Sequence, residues 1–168
     1  MKAAALIGLL ALGLLPHAFA NEGSAVLDGS SQVPIGVNTT MTGYWNATAS
    51  PDGTGVDWTL EVFDAIDVTM AHIHQGGPED NGPVIVFLVP VGVGSAATTN
   101  TLPQLSPPAS GADLVYQGRF TAADMGGPAA GNSLEQLYQL FESDGAYVNV
   151  HTSAYPNGEI RGQVEWQA

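Results

Sequence analysis

The chain contains no cysteine. Its absence excludes disulfides, a bacterial lipoprotein anchor and a thiol nucleophile. Basic residues are nearly as scarce, with 3 Lys and Arg against 16 Asp and Glu and a net charge of −13. So negative a surface repels nucleic acid and anionic lipid, and it attracts cations. Long apolar runs are also missing. The one candidate, Ala3 to Leu15, is too short to span a membrane and sits behind Lys2 and ahead of Ala18-Phe19-Ala20, the layout of a secretory leader with a small-x-small cleavage site. No G-x-S-x-G, H-E-x-x-H or phosphate loop occurs, so no hydrolase chemistry is written in the chain.

These absences divide the chain into a leader at residues 1–20 and one domain at 21–168, a length suited to a single core. Cleavage would remove Lys2 and leave Arg119 and Arg161 against 16 acids, a net charge of −14. The expectation is an exported protein, periplasmic or extracellular, with no membrane span and no nucleic-acid partner.

What is present is mostly strand pattern. Residues 25–29 and 32–36 carry short apolar stretches, with Pro34 demoting the second to an edge or bulged strand. Met41, Tyr44 and Trp45 mark a loosely alternating segment. It contains Asn46-Ala47-Thr48, an N-glycosylation pattern that matters only in a eukaryotic host. Val56, Trp58, Leu60 and Val62 alternate cleanly with Asp57, Thr59 and Glu61. A short reversal at 64–67 then leads into the next strand, so the two should pair as a hairpin. Val84 to Val89 and Leu114 to Thr121 read as further strands, separated by a long surface connection at 92–112. One helix is expected at 133–143: Ser133 and Gln136 form a capping box, Leu134, Leu137, Tyr138 and Phe141 make an apolar stripe, and Gly145 is the stop. Thr121 to Asp124 would start a further short helical turn. Two last strands flank a Tyr-Pro-Asn-Gly turn, in which Asn157-Gly158 tolerates positive φ. About eight short strands with one short helix argue for an all-β, Greek-key sandwich or barrel.

Histidine is the residue that points to chemistry. Outside the leader there are three, His72, His74 and His151. Strand side chains alternate, so His72 and His74 share one face, with their backbones about 7 Å apart. That spacing lets two imidazoles hold one ion, and Tyr147, Asn149 and His151 share a face of their own strand. If His151 meets the pair, the three rings form a site for copper or zinc. Met70, two residues before His72, would add a soft ligand. The opposing reading is architectural, with the histidines locking loops by hydrogen bonds. Arg161, if buried, calls for an Asp or Glu on a neighbouring strand. Glu79 to Gly82 has oxygens for Ca²⁺ but lacks the ligand count of a calcium loop, and a plain turn accounts for it.

Two blocks resemble a known family. A-H-I-H-x-G-x-x-x-x-N-G-P-V at Ala71 to Val84 and Y-V-N-V-H-T-x-x-x-P-N-G-E-I-R-G-Q-V at Tyr147 to Val164 look like the CHRD (chordin-type) domain, as found in exported bacterial proteins. The segment at 121–124 and the capped helix also stand where that family has them, so the resemblance spans most of residues 24–166. It implies an immunoglobulin-like β-barrel and an exported location, and it carries no settled activity.

Three functions stay open. The first is a non-enzymatic binding or structural module holding copper or zinc, with a protein partner that the sequence does not name. The second is a copper-dependent redox enzyme similar to superoxide dismutase, which also pairs an H-x-H strand with a distant histidine. This chain has no fourth, bridging histidine for that role. The third is a metal-free adhesion or matrix module. A copper-brace oxygenase needs an N-terminal histidine, whereas cleavage would expose Asn21.

Overall fold

The computed structural model describes residues 21–89 and 112–167. The leader and almost all of the 92–112 connection lie outside them. Among the described residues nine strands form two antiparallel sheets. They are β1 Glu22–Leu27, β2 Thr42–Ala49, β3 Val56–Ala65, β4 Val68–Gln75, β5 Val84–Val89, β6 Ala112–Phe120, β7 Ala146–Thr152, β8 Ile160–Gln163 and β9 Glu165–Gln167, with one helix, α1 Leu134–Glu142, before β7. The larger sheet has the order β6-β3-β2-β1-β9 and the smaller the order β5-β4-β7-β8. The fold is an all-β sandwich.

The period-2 patterns place the core between the sheets. Val56, Trp58, Leu60 and Val62 are buried from the large sheet, and Ala71, Ile73, Val148, Val150 and Ile160 from the small one. Helix α1 adds Leu137 and Phe141 to the same core. The Ser133 hydroxyl accepts from Gln136 N–H at 3.3 Å, and the Gln136 side-chain Oε1 accepts from Ser133 N–H at 2.9 Å, so the expected capping box forms. Tyr138 stacks on Trp166 at 4.7 Å, and Phe141 packs edge-on to Trp45 at 6.2 Å. The apolar stripe therefore seals the inner aromatics of the large sheet.

Four expectations change. Strands β3 and β4 are not a hairpin: β3 pairs with β2 and β6, while β4 pairs with β5 and β7. Both edges of β3 are taken, and Asp64 and Asp67, at φ 53° and 50°, turn the chain across to the opposite sheet. Residues 32–36 form no strand. Val33–Pro34 is a cis peptide inside a bend, and the loop is closed by Gln32 N–H and Val37 N–H donating to the Gly29 carbonyl at 3.3 and 2.7 Å. The helix stop is Asp144, at φ 59°, rather than Gly145. Gly145 serves close approach instead, since a Cβ there would meet Leu140.

The last strand is two strands. Val164 breaks it, so that β8 closes the small sheet on β7 and β9 pairs with β1 in the large one. Asp28 and Arg161 exchange backbone hydrogen bonds of 3.0 and 3.1 Å, joining the end of β1 to β8. The β7–β8 pairing, ahead of this switch, puts Arg161 on the small sheet beside the histidines.

Gly162 permits the crossing, because a Cβ there would overlap the Val26 carbonyl oxygen, a backbone atom that cannot swing aside. Gly162→Ala is expected to destabilise the fold by about 2–3 kcal/mol. Urea unfolding of the variant checks this, and a change below about 0.5 kcal/mol would contradict the close-approach argument.

Candidate metal centre

Strands β4 and β7 are neighbours, and their register sets the site. Met70 pairs with His151, His72 with Asn149 and His74 with Tyr147, and residues directly opposite each other in a sheet share a face. The face opposite Ala71, Ile73, Val148 and Val150 therefore carries all three histidines. Although this face points away from the core, it is not open to water. His72, His74 and His151 are 5%, 8% and 6% exposed.

Two loops cover it. From the 29–37 loop, Gln32 donates to the Asn149 side-chain oxygen at 2.6 Å, and Asn81 of the 76–83 loop donates to the Val33 carbonyl at 2.7 Å. The 76–83 loop is fastened by Arg161, whose guanidinium donates to the Asp80 and Gly77 carbonyls at 2.9 and 2.7 Å. Gln163 adds a bond to the Gly76 carbonyl at 3.0 Å. Arg161 is 1% exposed, and the partner expected from sequence is corrected here. Backbone carbonyls hold the guanidinium, with Tyr147 beneath it at 3.5 Å from its ring centroid, and among the described residues no neighbouring-strand carboxylate does. In the Glu79 to Gly82 segment the Asp80 carbonyl accepts from Arg161, Asn81 bonds Val33, and Gly82 bonds Tyr147 and His74.

The covering loops also set the tautomers. His74 Nδ1 lies 2.9 Å from the Gly82 carbonyl and His151 Nδ1 lies 3.0 Å from the Pro156 carbonyl. A carbonyl only accepts, so each Nδ1 carries the proton and each Nε2 is a bare lone pair. The Pro156 carbonyl belongs to the turn between β7 and β8, where Gly158 at φ 118° supplies the positive φ expected at Asn157-Gly158. His72 Nδ1 sits 3.2 Å from His151 Nε2. One ligand nitrogen from each ring lies within 4.8 Å of the other two.

This geometry suits a bound ion. Bonds of 2.0–2.1 Å put two nitrogens of a tetrahedral site about 3.3–3.4 Å apart, close to the His72–His151 separation. Donation of the second ring nitrogen to a backbone carbonyl is the usual support for a histidine ligand. His74 Nε2 is buried without a hydrogen-bond partner, as is His72 Nε2. A buried acceptor with no donor costs roughly 1–3 kcal/mol, which an ion would relieve at His74 Nε2.

The sequence spacing singled out the three histidines that the structure brings together. It missed the aromatic packing: Phe87 stands edge-on to His72 at 4.7 Å, and Tyr147 stacks on His74 at 4.9 Å and 11°. Both contacts cross between strands, so only pairing reveals them. Met70, half-buried, shares the face by register.

Burial keeps the rings neutral. It is the main cause of a His72 pKa pushed down to about 4, aided by repulsion from His151 and His74. His74 is lowered mainly by burial, against its bond to Gly82, with His151 and Arg161 adding to the fall. His151 is lowered by burial, against its bond to Pro156. Neutral imidazole is the form that binds metal.

For metal-free protein the linkage has a definite sign. Above the unfolded histidine pKa of 6.5 both states are neutral and nothing is lost. Below it the unfolded chain takes up protons that the fold refuses, so stability falls with pH until the folded pKa near 4. His72 alone should remove on the order of 3 kcal/mol across that window. Urea unfolding of chelator-treated protein between pH 7 and 4.5 checks this, and His72→Phe should flatten the profile. A stability that rises on acidification would contradict it.

Comparison with curated proteins finds no match, and comparison with solved structures finds none either. The family model for the CHRD domain matches residues 23–164. That span holds all of β2 to β8, the capped helix and every histidine of the buried face, with only β9 and the first residue of β1 outside it, and the chain belongs to the CHRD domain family.

Proposed function

We propose that this CHRD domain is an exported, non-enzymatic module that holds one copper or zinc ion through His72, His74 and His151. The observation that carries the reading is the buried, donorless Nε2 of His74, aimed from a ring whose other nitrogen is fixed by Gly82. Purely architectural histidines would spend both nitrogens on protein groups. His74 and His72 do not.

Burial supports a holding role over a catalytic one, since all three ligands are less than 9% exposed and the covering loops are fastened by several hydrogen bonds. A dismutase-like reading would further need a bridging histidine that the sequence lacks. Export is supported by the leader-like residues 1–20. Among the described residues, no helix is long and apolar enough to cross a membrane.

The test is metal titration of purified, chelator-treated protein with Cu²⁺, Cu⁺ and Zn²⁺. One ion per chain should bind more tightly than micromolar. His74→Ala and His151→Ala should each weaken it at least a hundredfold, since loss of an outer-shell partner alone costs about 10–100-fold. The acidic surface will collect further ions weakly, and those sites should be indifferent to the histidine substitutions. Affinity no better than micromolar, or affinity untouched by His72→Ala, would reject the proposal.

A further inference from the structure

The three-histidine site lies beside a buried positive charge. Strand order places β4 and β8 on opposite sides of β7, so Tyr147 lies between His74 and Arg161. Its ring is stacked on His74 at 4.9 Å and lies under the Arg161 guanidinium at 3.5 Å. The guanidinium's hydrogen bonds go to the Asp80 and Gly77 carbonyls and, at 3.5 Å, to the Asn81 side-chain oxygen. These acceptors are uncharged. The Asp80 and Glu79 carboxylates act on Arg161 only from beyond contact.

We propose that the histidine centre is selective for a monovalent ion, Cu⁺, over Zn²⁺ and Cu²⁺, and that the charge of Arg161, across the Tyr147 ring, enforces this selectivity. The inference rests on the metal-binding reading above and names the ion for that site. Two physical arguments carry it. The cost of burying an ion scales with the square of its charge, so a divalent ion pays about four times what a monovalent one does. The candidate ligand set consists of neutral imidazoles with no carboxylate to offset the difference. The second argument is direct repulsion, twice as large for a divalent ion. At roughly 10 Å and an effective dielectric constant near 20, each extra unit of ion charge lowers affinity about tenfold or somewhat more. Zn²⁺ also takes a fourth ligand, whereas Cu⁺ accepts a low-coordinate nitrogen site.

Arg161 is a positioning and charge-setting residue here, and its test needs a readout that loop anchoring alone would not move. Anaerobic competition titrations would compare Cu⁺, Cu²⁺ and Zn²⁺ on the wild-type protein, on Arg161→Met and on Arg161→Lys. Wild type should prefer Cu⁺ over Zn²⁺ by at least a hundredfold. Folded Arg161→Met should narrow that preference about tenfold and lower the copper midpoint potential by about 60 mV, the tenfold equivalent for one electron. Arg161→Lys keeps the charge and loses the fork, so it should stay within about threefold of the wild-type ratio. If wild type binds no ion, the metal-binding reading itself fails. If it binds Zn²⁺ as tightly as Cu⁺, that reading stands and the selectivity is overturned, a comparison that needs no variant to fold. A Met variant with an unchanged ratio, or a Lys variant shifted as far as the Met variant, overturns the role given to Arg161.

Discussion

The outer face of the small sheet depends on how one guanidinium is held. A buried Arg with nothing to satisfy its donors would be strongly unfavourable, and here the satisfaction comes from the backbone of the loop it fastens. Fixing Gly77 and Asp80 fixes Gly82 two residues on, and Gly82 orients His74. The same guanidinium lies on Tyr147, which stacks on His74 from the side. Ring position and ring tautomer at His74 thus trace back to one residue on β8. That residue sits on the small sheet because β8 pairs with β7 before the chain leaves for the large sheet at Val164.

This arrangement reconciles two properties that usually exclude one another. The histidine face is polar, yet it is as dry as the core. A sheet with one solvated face would leave three imidazoles free to exchange hydrogen bonds with water. Covering that face with the 29–37 and 76–83 loops removes the water and leaves His74 Nε2 and His72 Nε2 unsatisfied. Desolvation also holds the rings neutral, so His74 and His151 each keep a bare Nε2 lone pair. The chemistry of the site comes from the loops as much as from the histidines.

Much of the fold was legible locally. The alternation in β3, the Ser133–Gln136 cap and the shared face of His72 and His74 are properties of a few consecutive residues, and each appears where its period predicts. The errors fall where a distant partner decides. The four-residue reversal after β3 reads as a hairpin, because nothing nearby shows that β2 and β6 already occupy both edges of β3. The stretch from Glu159 to Trp166 alternates without a break that local pattern can see, yet it divides at Val164 between two sheets. Arg161 invited a carboxylate partner by charge alone, and it found carbonyls because the loop arrives backbone first.

By itself the sequence determined the residue types available to the site, the pairing of two histidines on one strand face, and the all-β class. These follow from alternation and composition, which need no knowledge of neighbours. Only the tertiary structure decided that His151 comes opposite Met70 and beside His72, that the face is roofed by loops, and that a positive charge lies one ring away from His74. Those are matters of register and strand order, set by pairing between segments some 80 residues apart, and no local pattern encodes them.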